Sequence, residues 1–271
     1  LGVANAPKTA PIIQHPAVKR MLLTMKSCAE ATRALAYQVS ALLDRARHHP
    51  DADEKARCQA RVDLLIPIVK GWSTEVGIDV ASLGIQVHGG MGFIEETGAA
   101  QHLRDARIST IYEGTTGIQA NDLVGRKVGR EGGHTMKALL AEMNALPPEL
   151  AKSEDAALRV VGARLAAALG DLARATDWIV ATFPTDPGAV AAGSVYYLKL
   201  AGIACGGWMM ARSAAIARAQ LAAGEGDPDF LRGKLVTARF YAEHLLPQAD
   251  ALAEALLAGG ASVRAADDAL I

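Results

Sequence analysis

The chain of 271 residues contains few aromatic residues and no excess of charge of either sign. Aromatic residues make up 4% of it, whereas hydrophobic residues together make up 51%. A core of that kind is built mainly from Ala, Leu, Val and Ile, which favours close-packed helices over a sheet-rich fold. The net charge is −1, and lysine and arginine form no basic stripe or block. This argues against nucleic acid and anionic membrane surfaces as main partners.

Cysteine is also scarce, and long apolar runs are missing. The three cysteines, Cys28, Cys58 and Cys205, are odd in number and, like the histidines, lack the spacing of metal ligands. We therefore expect reduced thiols in a cytoplasmic protein and no metal site. The longest apolar stretch, residues 202–211, is too short to span a bilayer, and no signal peptide is visible. The chain starts at Leu1 rather than at a methionine, which suggests a piece of a longer polypeptide.

Helical periodicity dominates the rest of the sequence. From Pro16, apolar residues recur at steps of three and four, which predicts a helix that ends near His48. A second helical stretch starts near Glu54. Pro67 disfavours helical geometry in the residue before it, so we expect a break there and a new helix up to His88. Further helices are predicted for residues 99–106, 117–126, 154–181, 194–223 and 229–257. No segment has the two-residue period of a strand, so the sequence predicts an all-α protein.

Small residues line one face of the helix that ends at His88. Gly77, Ala81, Gly84 and His88 follow one another at steps of four, three and four. Glycine inside a helix costs roughly 1 kcal/mol relative to alanine. We therefore expect these positions to allow the close approach of a neighbouring helix.

A glycine-rich stretch at residues 129–133 predicts a boundary between two units. The first unit would comprise residues 1–128 and the second residues 129–271, each built from helices. Residues 1–14 are punctuated by proline and are expected to be extended.

Two glycine-bearing segments contain the residues best suited to chemistry. The first, Gln86-Val87-His88-Gly89-Gly90-Met91-Gly92, closes a helix. Taken alone it indicates a helix end, because glycine after the last helical residue is a common way for a helix to stop. The phosphate-binding glycine motifs instead open a helix after a strand, so this segment is neither a Rossmann fingerprint nor a P-loop.

The second segment, residues 111–119, sets Glu113 on a loop beside the first. Most glutamates are solvated surface residues, and this is the simpler interpretation when Glu113 is taken alone. Its apolar neighbours Ile111 and Tyr112, and the missing side chain at Gly114, favour a water-poor loop open to a ligand. A carboxylate in such a loop is suited to act as a general base towards a weakly acidic C–H group.

Three motifs taken together resemble a known family. They are Gln-x-His-Gly-Gly-Met-Gly-Phe from Gln86, Leu-Arg-Asp-Ala-Arg from Leu103, and Tyr-Glu-Gly-Thr-x-x-Ile-Gln from Tyr112. Their order and spacing resemble those of the C-terminal helical domain of the acyl-CoA dehydrogenases. The resemblance is strongest over residues 15–128.

The remainder of the chain, residues 131–271, resembles the extra helical domain of a longer subgroup, which includes the 3-methylmercaptopropionyl-CoA dehydrogenases. The resemblance implies an all-α fold: a four-helix-bundle-type C-terminal domain that lacks its first helix, followed by a second helical bundle. In the family a helical domain and a β-barrel precede this region. The chain is therefore expected to be part of a longer enzyme, and to be inactive in isolation.

The resemblance also implies a catalytic role for the second segment. By that resemblance Glu113 removes an α-proton from an acyl-CoA thioester, and its backbone N–H polarises the thioester carbonyl. Tyr112 lines the acyl cavity, and Gly114 leaves room for the thioester. An electron-transfer flavoprotein is the implied electron acceptor.

The cofactor implied by the resemblance is FAD. Gln86, Gly89 and Gly90 match the loop that contacts the FAD of a neighbouring subunit, so a homo-oligomer is implied as well. Thr115 matches a residue near the adenosine end of FAD. Many relatives have glutamine where this chain has Gly117, so the resemblance implies no side-chain contact to the flavin at that position.

Two alternatives stay open at this point. An acyl-CoA oxidase would use the same base and pass electrons to oxygen instead. A helical assembly module would have no chemistry of its own, although the carboxylate at Glu113 argues against that for the full-length protein.

Overall fold

The computed structural model describes residues 10–271, and every regular element in that range is helical. Residues 1–9 of the segment expected to be extended lie outside the described residues, whereas Ile12–Gln14 form a short 3-10 helix. The α-helices are α1 (Pro16–His48), α2 (Ala52–Pro67), α3 (Ser73–His88), α4 (Gly90–Phe93), α5 (Ala99–Arg107), α6 (Thr116–Asp122), α7 (His134–Met143), α8 (Leu146–Ala151), α9 (Ala156–Thr182), α10 (Pro187–Ala192), α11 (Ser194–Ala223), α12 (Pro228–His244), α13 (Gln248–Leu257) and α14 (Ala261–Arg264). Two π-helical segments, Ile68–Trp72 and Leu123–Gly129, and 3-10 helices at Glu95–Thr97, Ile108–Thr110 and Asp268–Leu270 complete the description. The all-α prediction is confirmed.

The long helix α1 has the predicted bounds. Pro16 occupies its first turn, where the missing N–H would have no helical partner in any case. Basic side chains occupy its last turn, where they favourably oppose the helix dipole. Its buried face, which includes Leu35, Val39 and Leu42, packs against α2, α3, α11 and α12.

The break expected at Pro67 is wrong. Pro67 has helical dihedral angles (φ −58°, ψ −35°), and the helix continues through the π-helical segment Ile68–Trp72 into α3. Proline removes a backbone hydrogen bond and crowds the carbonyl four residues earlier. In a π turn the hydrogen bonds join residues five apart rather than four, which makes the helix locally wider. We attribute the continuation of the helix past Pro67 to this local change.

Helix α11 is the centre of the second half of the chain. It packs against α9, α12 and α13 of that half, and also against α1, α6 and the π-helical segment of the first half. The buried Trp72 lies against the bare backbone of α11: a Cβ atom on Gly202 would come within 2.2 Å of Trp72 Cγ, and one on Gly206 within 2.7 Å of the same ring. One hydrophobic core therefore runs through residues on both sides of position 128.

By length and composition α11 is also long and apolar enough to cross a membrane. Among residues 10–271 it is the one helix that meets this test, and 78% of its most apolar window is buried inside the protein. A core helix meets the same test, so this is weak evidence for a membrane span.

The helix predicted for residues 229–257 is two helices in the structure. Helix α12 ends at His244, and α13 begins at Gln248, after Pro247. Proline disfavours helical geometry in the preceding residue and has no N–H for the ladder, which accounts for the interruption. The sequence-based prediction also missed the short helices α7, α8 and α10.

The small-residue face of α3 is open rather than packed against a neighbouring helix. No heavy atom lies within 4 Å of a Cβ built on Gly77, and the nearest one to Gly84 is Met25 Cε at 3.9 Å. These positions border a groove of about 410 Å³, which Met25 and His102 also line. The predicted close approach is therefore wrong for the part of the chain that the structure describes.

Candidate functional site

The path of the chain separates the two glycine-bearing segments. Helix α3 ends at His88, the chain turns at Gly89, and α5 returns along α3. The loop of residues 111–115, here called the Glu113 loop, then contacts Lys70 and lies near Glu75, at the beginning of α3. Since α3 has 16 residues and a helix rises 1.5 Å per residue, its two ends lie roughly 24 Å apart.

The two segments were predicted to lie side by side, and this prediction is wrong. The turn around Gln86, Gly89 and Gly90 lies at one end of α3, and the Glu113 loop lies at the other. Each segment has to be considered as a site of its own.

Glu113 has an uncommon backbone conformation. Its φ angle is +53°, and it is the one residue other than glycine with a positive φ in residues 10–271. Gly114, which follows it, has φ +96°. Residues with side chains are held in this left-handed region at a cost of roughly 1–3 kcal/mol, and such conformations cluster at functional sites.

Three polar contacts hold this conformation. Lys70 Nζ donates to the carbonyl oxygens of Ser109 (3.0 Å) and Gly114 (2.6 Å), so it joins the two ends of the turn. Gln119 Nε2 donates to the carbonyl of Glu113 at 3.2 Å. These contacts satisfy carbonyl groups that the irregular backbone cannot pair with itself.

The C-terminal side of the loop is fixed at the start of α6. Thr115 caps this helix, because its side chain accepts a hydrogen bond from Ile118 N. Thr116 donates from its hydroxyl to Glu75 Oε1 on α3 at 2.5 Å. Gly117 faces open space and does not restrict the loop.

The side chain of Glu113 is exposed, so the water-poor surroundings expected from the sequence are not supplied by this chain. Around it, Ile111, Tyr112 and Ile118 are 48%, 52% and 60% exposed. Several large apolar side chains exposed beside one carboxylate are typical of a surface that binds another molecule or chain. The backbone N–H of Glu113 has no protein acceptor within residues 10–271 and is free to bind a ligand.

The turn around Gly89 presents bare backbone. Gly89 has φ 63° and ψ −145°, a conformation that essentially requires glycine. Nothing lies within 4 Å of a Cβ built on Gly89 or Gly90, and both glycines and the side chain of Gln86 are exposed. Phe93, just beyond, is 80% exposed. This turn is accessible to a flat ligand from outside, at a distance from Glu113.

Lys70 and Glu75 belong to no motif of the sequence. They lie some 40 residues before the loop that they hold, so no local spacing in the sequence points to them. In the motif that begins at Leu103, Arg104 forms an ion pair with Glu95 at 3.4 Å.

Comparisons with known proteins identify both halves of the chain. Residues 4–128 match the family model described as "Acyl-CoA dehydrogenase, C-terminal domain". Residues 135–267 match the model described as "Acetyl-CoA dehydrogenase C-terminal like".

Two curated relatives and one solved structure illustrate the similarity. The chain is 48% identical to 3-methylmercaptopropionyl-CoA dehydrogenase of Ruegeria pomeroyi, over 91% of this chain and 42% of that protein. It is 36% identical to the broad-specificity linear acyl-CoA dehydrogenase FadE5 of Mycobacterium tuberculosis, over 89% and 41%. An acyl-CoA dehydrogenase from Bacillus anthracis, solved in complex with FAD, shares the fold with a TM-score of 0.71 at 19% identity, over 96% of this chain and 46% of that one. The chain thus spans about two fifths of the length of these curated relatives.

Proposed function

Because this chain belongs to the acyl-CoA dehydrogenase family, we propose that it is the C-terminal part of an FAD-dependent enzyme that introduces an α,β double bond into an acyl-CoA thioester. Glu113 is the proposed base. The observation that supports this role is the conformation of Glu113, whose left-handed backbone is held by Lys70 and Gln119 while its side chain stays exposed. A strained, well-supported residue with an accessible carboxylate is what a positioned base requires.

In the proposed reaction the Glu113 carboxylate takes the α-proton of the thioester. The β-hydrogen leaves with its electron pair, and the double bond forms between the α- and β-carbons. FAD, when bound, supplies the acceptor for that hydride. The free backbone N–H of Glu113 is available to donate to the thioester oxygen, where negative charge develops as the α-proton leaves.

Substrate contacts are proposed for the residues on either side of the base. Gly114 adds no side chain that could crowd the thioester. Tyr112 offers a half-exposed ring that an acyl chain can cover. The 3-methylmercaptopropionyl-CoA in the name of the Ruegeria relative belongs to that protein. For this chain we propose the class of saturated acyl-CoA thioesters.

The proposed FAD contacts are Gln86, Gly89, Gly90 and Thr115. The open space above Gly89 and Gly90 fits an approaching cofactor, because no side chain covers their backbone. Since this turn and the Glu113 loop lie at opposite ends of α3, we propose that the turn contacts the FAD whose flavin serves another subunit. A homo-oligomer follows from this proposal, and an electron-transfer flavoprotein is the proposed acceptor.

The test is the Glu113→Gln substitution in the full-length protein, with Glu149→Gln, on the exposed surface of α8, as the control. Flavin reduction would be followed by absorbance after mixing with 3-methylmercaptopropionyl-CoA, butyryl-CoA or octanoyl-CoA. Glu113→Gln is expected to retain FAD and to lower the reduction rate by roughly 10²–10⁴-fold, the usual contribution of a general base. An unchanged rate in this variant, or a wild-type protein that reacts with none of the three thioesters, would overturn the proposal.

An acyl-CoA oxidase remains the alternative, since its base would be the same. Comparing hydrogen peroxide release with reduction of an electron-transfer flavoprotein by the wild-type enzyme separates the two. Rapid peroxide release with poor reduction of the flavoprotein would identify the oxidase.

A further inference from the structure

Lys70 occupies an unusual position for a lysine. It is half-buried in the π-helical segment Ile68–Trp72, and its ammonium group forms no ion pair within residues 10–271. Its hydrogen bonds go to two backbone carbonyls, those of Ser109 and Gly114. A half-buried charge is costly unless hydrogen bonds compensate it, so these two contacts account for most of its polar environment.

The two carbonyls lie on either side of Glu113. Because one ammonium group has three donors, Lys70 can bind both at once and keep the ends of the turn together. The same nitrogen lies 5.6 Å from the centre of the Tyr112 ring, within the range of a cation–π contact. Lys70 thus contacts the residue before Glu113 and the residue after it.

The position of Lys70 is itself set by the second half of the chain. A Cβ on the neighbouring Gly71 would come within 2.7 Å of Leu198 Cδ2 on α11 and within 3.2 Å of Gln119 Cβ. The next residue, Trp72, packs against the glycines of α11. The π-helical segment is therefore held between α11 and α6, and it cannot shift without displacing one of them.

We infer that Lys70 is a positioning residue for proton abstraction, which sets the Glu113 carboxylate at the distance and angle that the α-proton requires. This inference rests on the proposed function. It also assigns a task to residues 129–271, because α11 supports the segment from which Lys70 projects.

The test uses full-length Lys70→Met and Lys70→Arg, with Lys152→Met as the control at an exposed lysine. The measurements are the FAD content, the dissociation constant of the acyl-CoA, the rate of flavin reduction, and the isotope effect on that rate with α-deuterated butyryl-CoA. A displacement of about 1 Å costs roughly 100-fold in rate, so we expect a loss of that order in Lys70→Met. Lys70→Arg, which keeps a charged donor, should recover part of the rate.

A structural defect would give a different result. Loss of FAD or of acyl-CoA affinity lowers the amount of active complex but leaves the isotope effect unchanged. A positioning role predicts a larger isotope effect with FAD content and acyl-CoA affinity within about threefold of wild type, because proton abstraction then limits the rate more fully. If Lys70→Met does not fold, Lys70→Gln supplies the same comparison with a neutral donor.

A flavin-reduction rate within about twofold of wild type in Lys70→Met or Lys70→Gln would overturn the inference. So would a slower reaction with an unchanged isotope effect. Either result leaves the proposed function intact as long as Glu113→Gln slows flavin reduction by roughly 10²–10⁴-fold. An unchanged rate in Glu113→Gln would refute the function itself.

Discussion

Thr237 on α12 donates a hydrogen bond of 2.7 Å to Glu30 Oε2 on α1, although the two residues are 207 positions apart in the sequence. Glu30 is buried, and it also pairs with Lys26 (2.7 Å) and Lys234 (3.3 Å). The contact joins the first helix of the chain to the second half of the protein. Because Glu30 can be protonated, we expect the contribution of this contact to stability to depend on pH.

The first prediction concerns this pH dependence. Burial by itself raises the pKa of Glu30, but hydrogen bonds from Lys26 and Thr237 and the charge of Lys234 outweigh it and lower the pKa below its usual value of 4.5. A lowered pKa in the folded state stabilises the fold above pH 4.5, and that contribution is lost as the pH falls through the folded-state pKa. Glu30→Gln should therefore flatten the dependence of thermal stability on pH below about 4.5 and leave its shape above pH 6 unchanged. An identical acid profile for both proteins would contradict this.

Removing the donor gives a second prediction at the same contact. Thr237→Val leaves a buried carboxylate with one hydrogen bond fewer and should lower the free energy of unfolding at pH 7 by about 1–3 kcal/mol. Thr185→Val, at an exposed turn where the hydroxyl bonds to the Thr182 carbonyl, is the matched control and should change it by less than about 0.5 kcal/mol. Urea unfolding measures both values.

A third prediction contrasts two helical glycines. In α11, Gly202→Ala places a methyl group 2.2 Å from Trp72 Cγ, so the fold should lose about 1–3 kcal/mol through overpacking. In α9, Gly170 has nothing within 4 Å of a built Cβ, so Gly170→Ala should stabilise the protein by up to about 1 kcal/mol through helix propensity alone. Urea unfolding of the two variants should give effects of opposite sign. Stabilisation by Gly202→Ala would refute the tight Trp72 contact.

These packing relationships also explain which helices the sequence could predict. The bounds of α1 and α11 follow from local signals: proline in the first turn of α1, and Gly224 with φ +71° directly after α11. The prediction was wrong at two prolines: a break was expected at Pro67 and is absent, and no break was expected at Pro247, where one occurs. The helix continues past Pro67, where Trp72 packs firmly on α11, and it stops before Pro247. The packing of Trp72 on α11 is a contact between residues distant in the sequence, which periodicity does not contain.

Some residues of the candidate site could be predicted from the sequence, and others only the structure reveals. Glu113 and the Gly89 turn are visible in the sequence as motifs, and the resemblance to the family proposes their roles. Lys70 contacts the Glu113 loop, and Glu75 contacts Thr116 directly after it, each from more than 35 residues away in the sequence. Both lie in an ordinary helical pattern. The left-handed conformation of Glu113 is also absent from the sequence pattern, since glutamate rarely adopts it.

The last prediction separates the stability of the second half from its effect on the Glu113 loop. Leu198 on α11 and Leu165 on α9 are both fully buried, so either Leu→Ala substitution should lower the free energy of unfolding by about 2–5 kcal/mol. Leu198 touches the Gly71 position, which also lies next to Gln119, whereas Gly71 has no contact with Leu165 among its nearest atoms. In the full-length enzyme, under conditions where both variants are folded and hold FAD, we expect Leu198→Ala to slow flavin reduction about tenfold and Leu165→Ala to leave it unchanged. Stopped-flow reduction with butyryl-CoA makes the comparison. Equal rates in the two variants would mean that α11 stabilises the protein without influencing the position of the base.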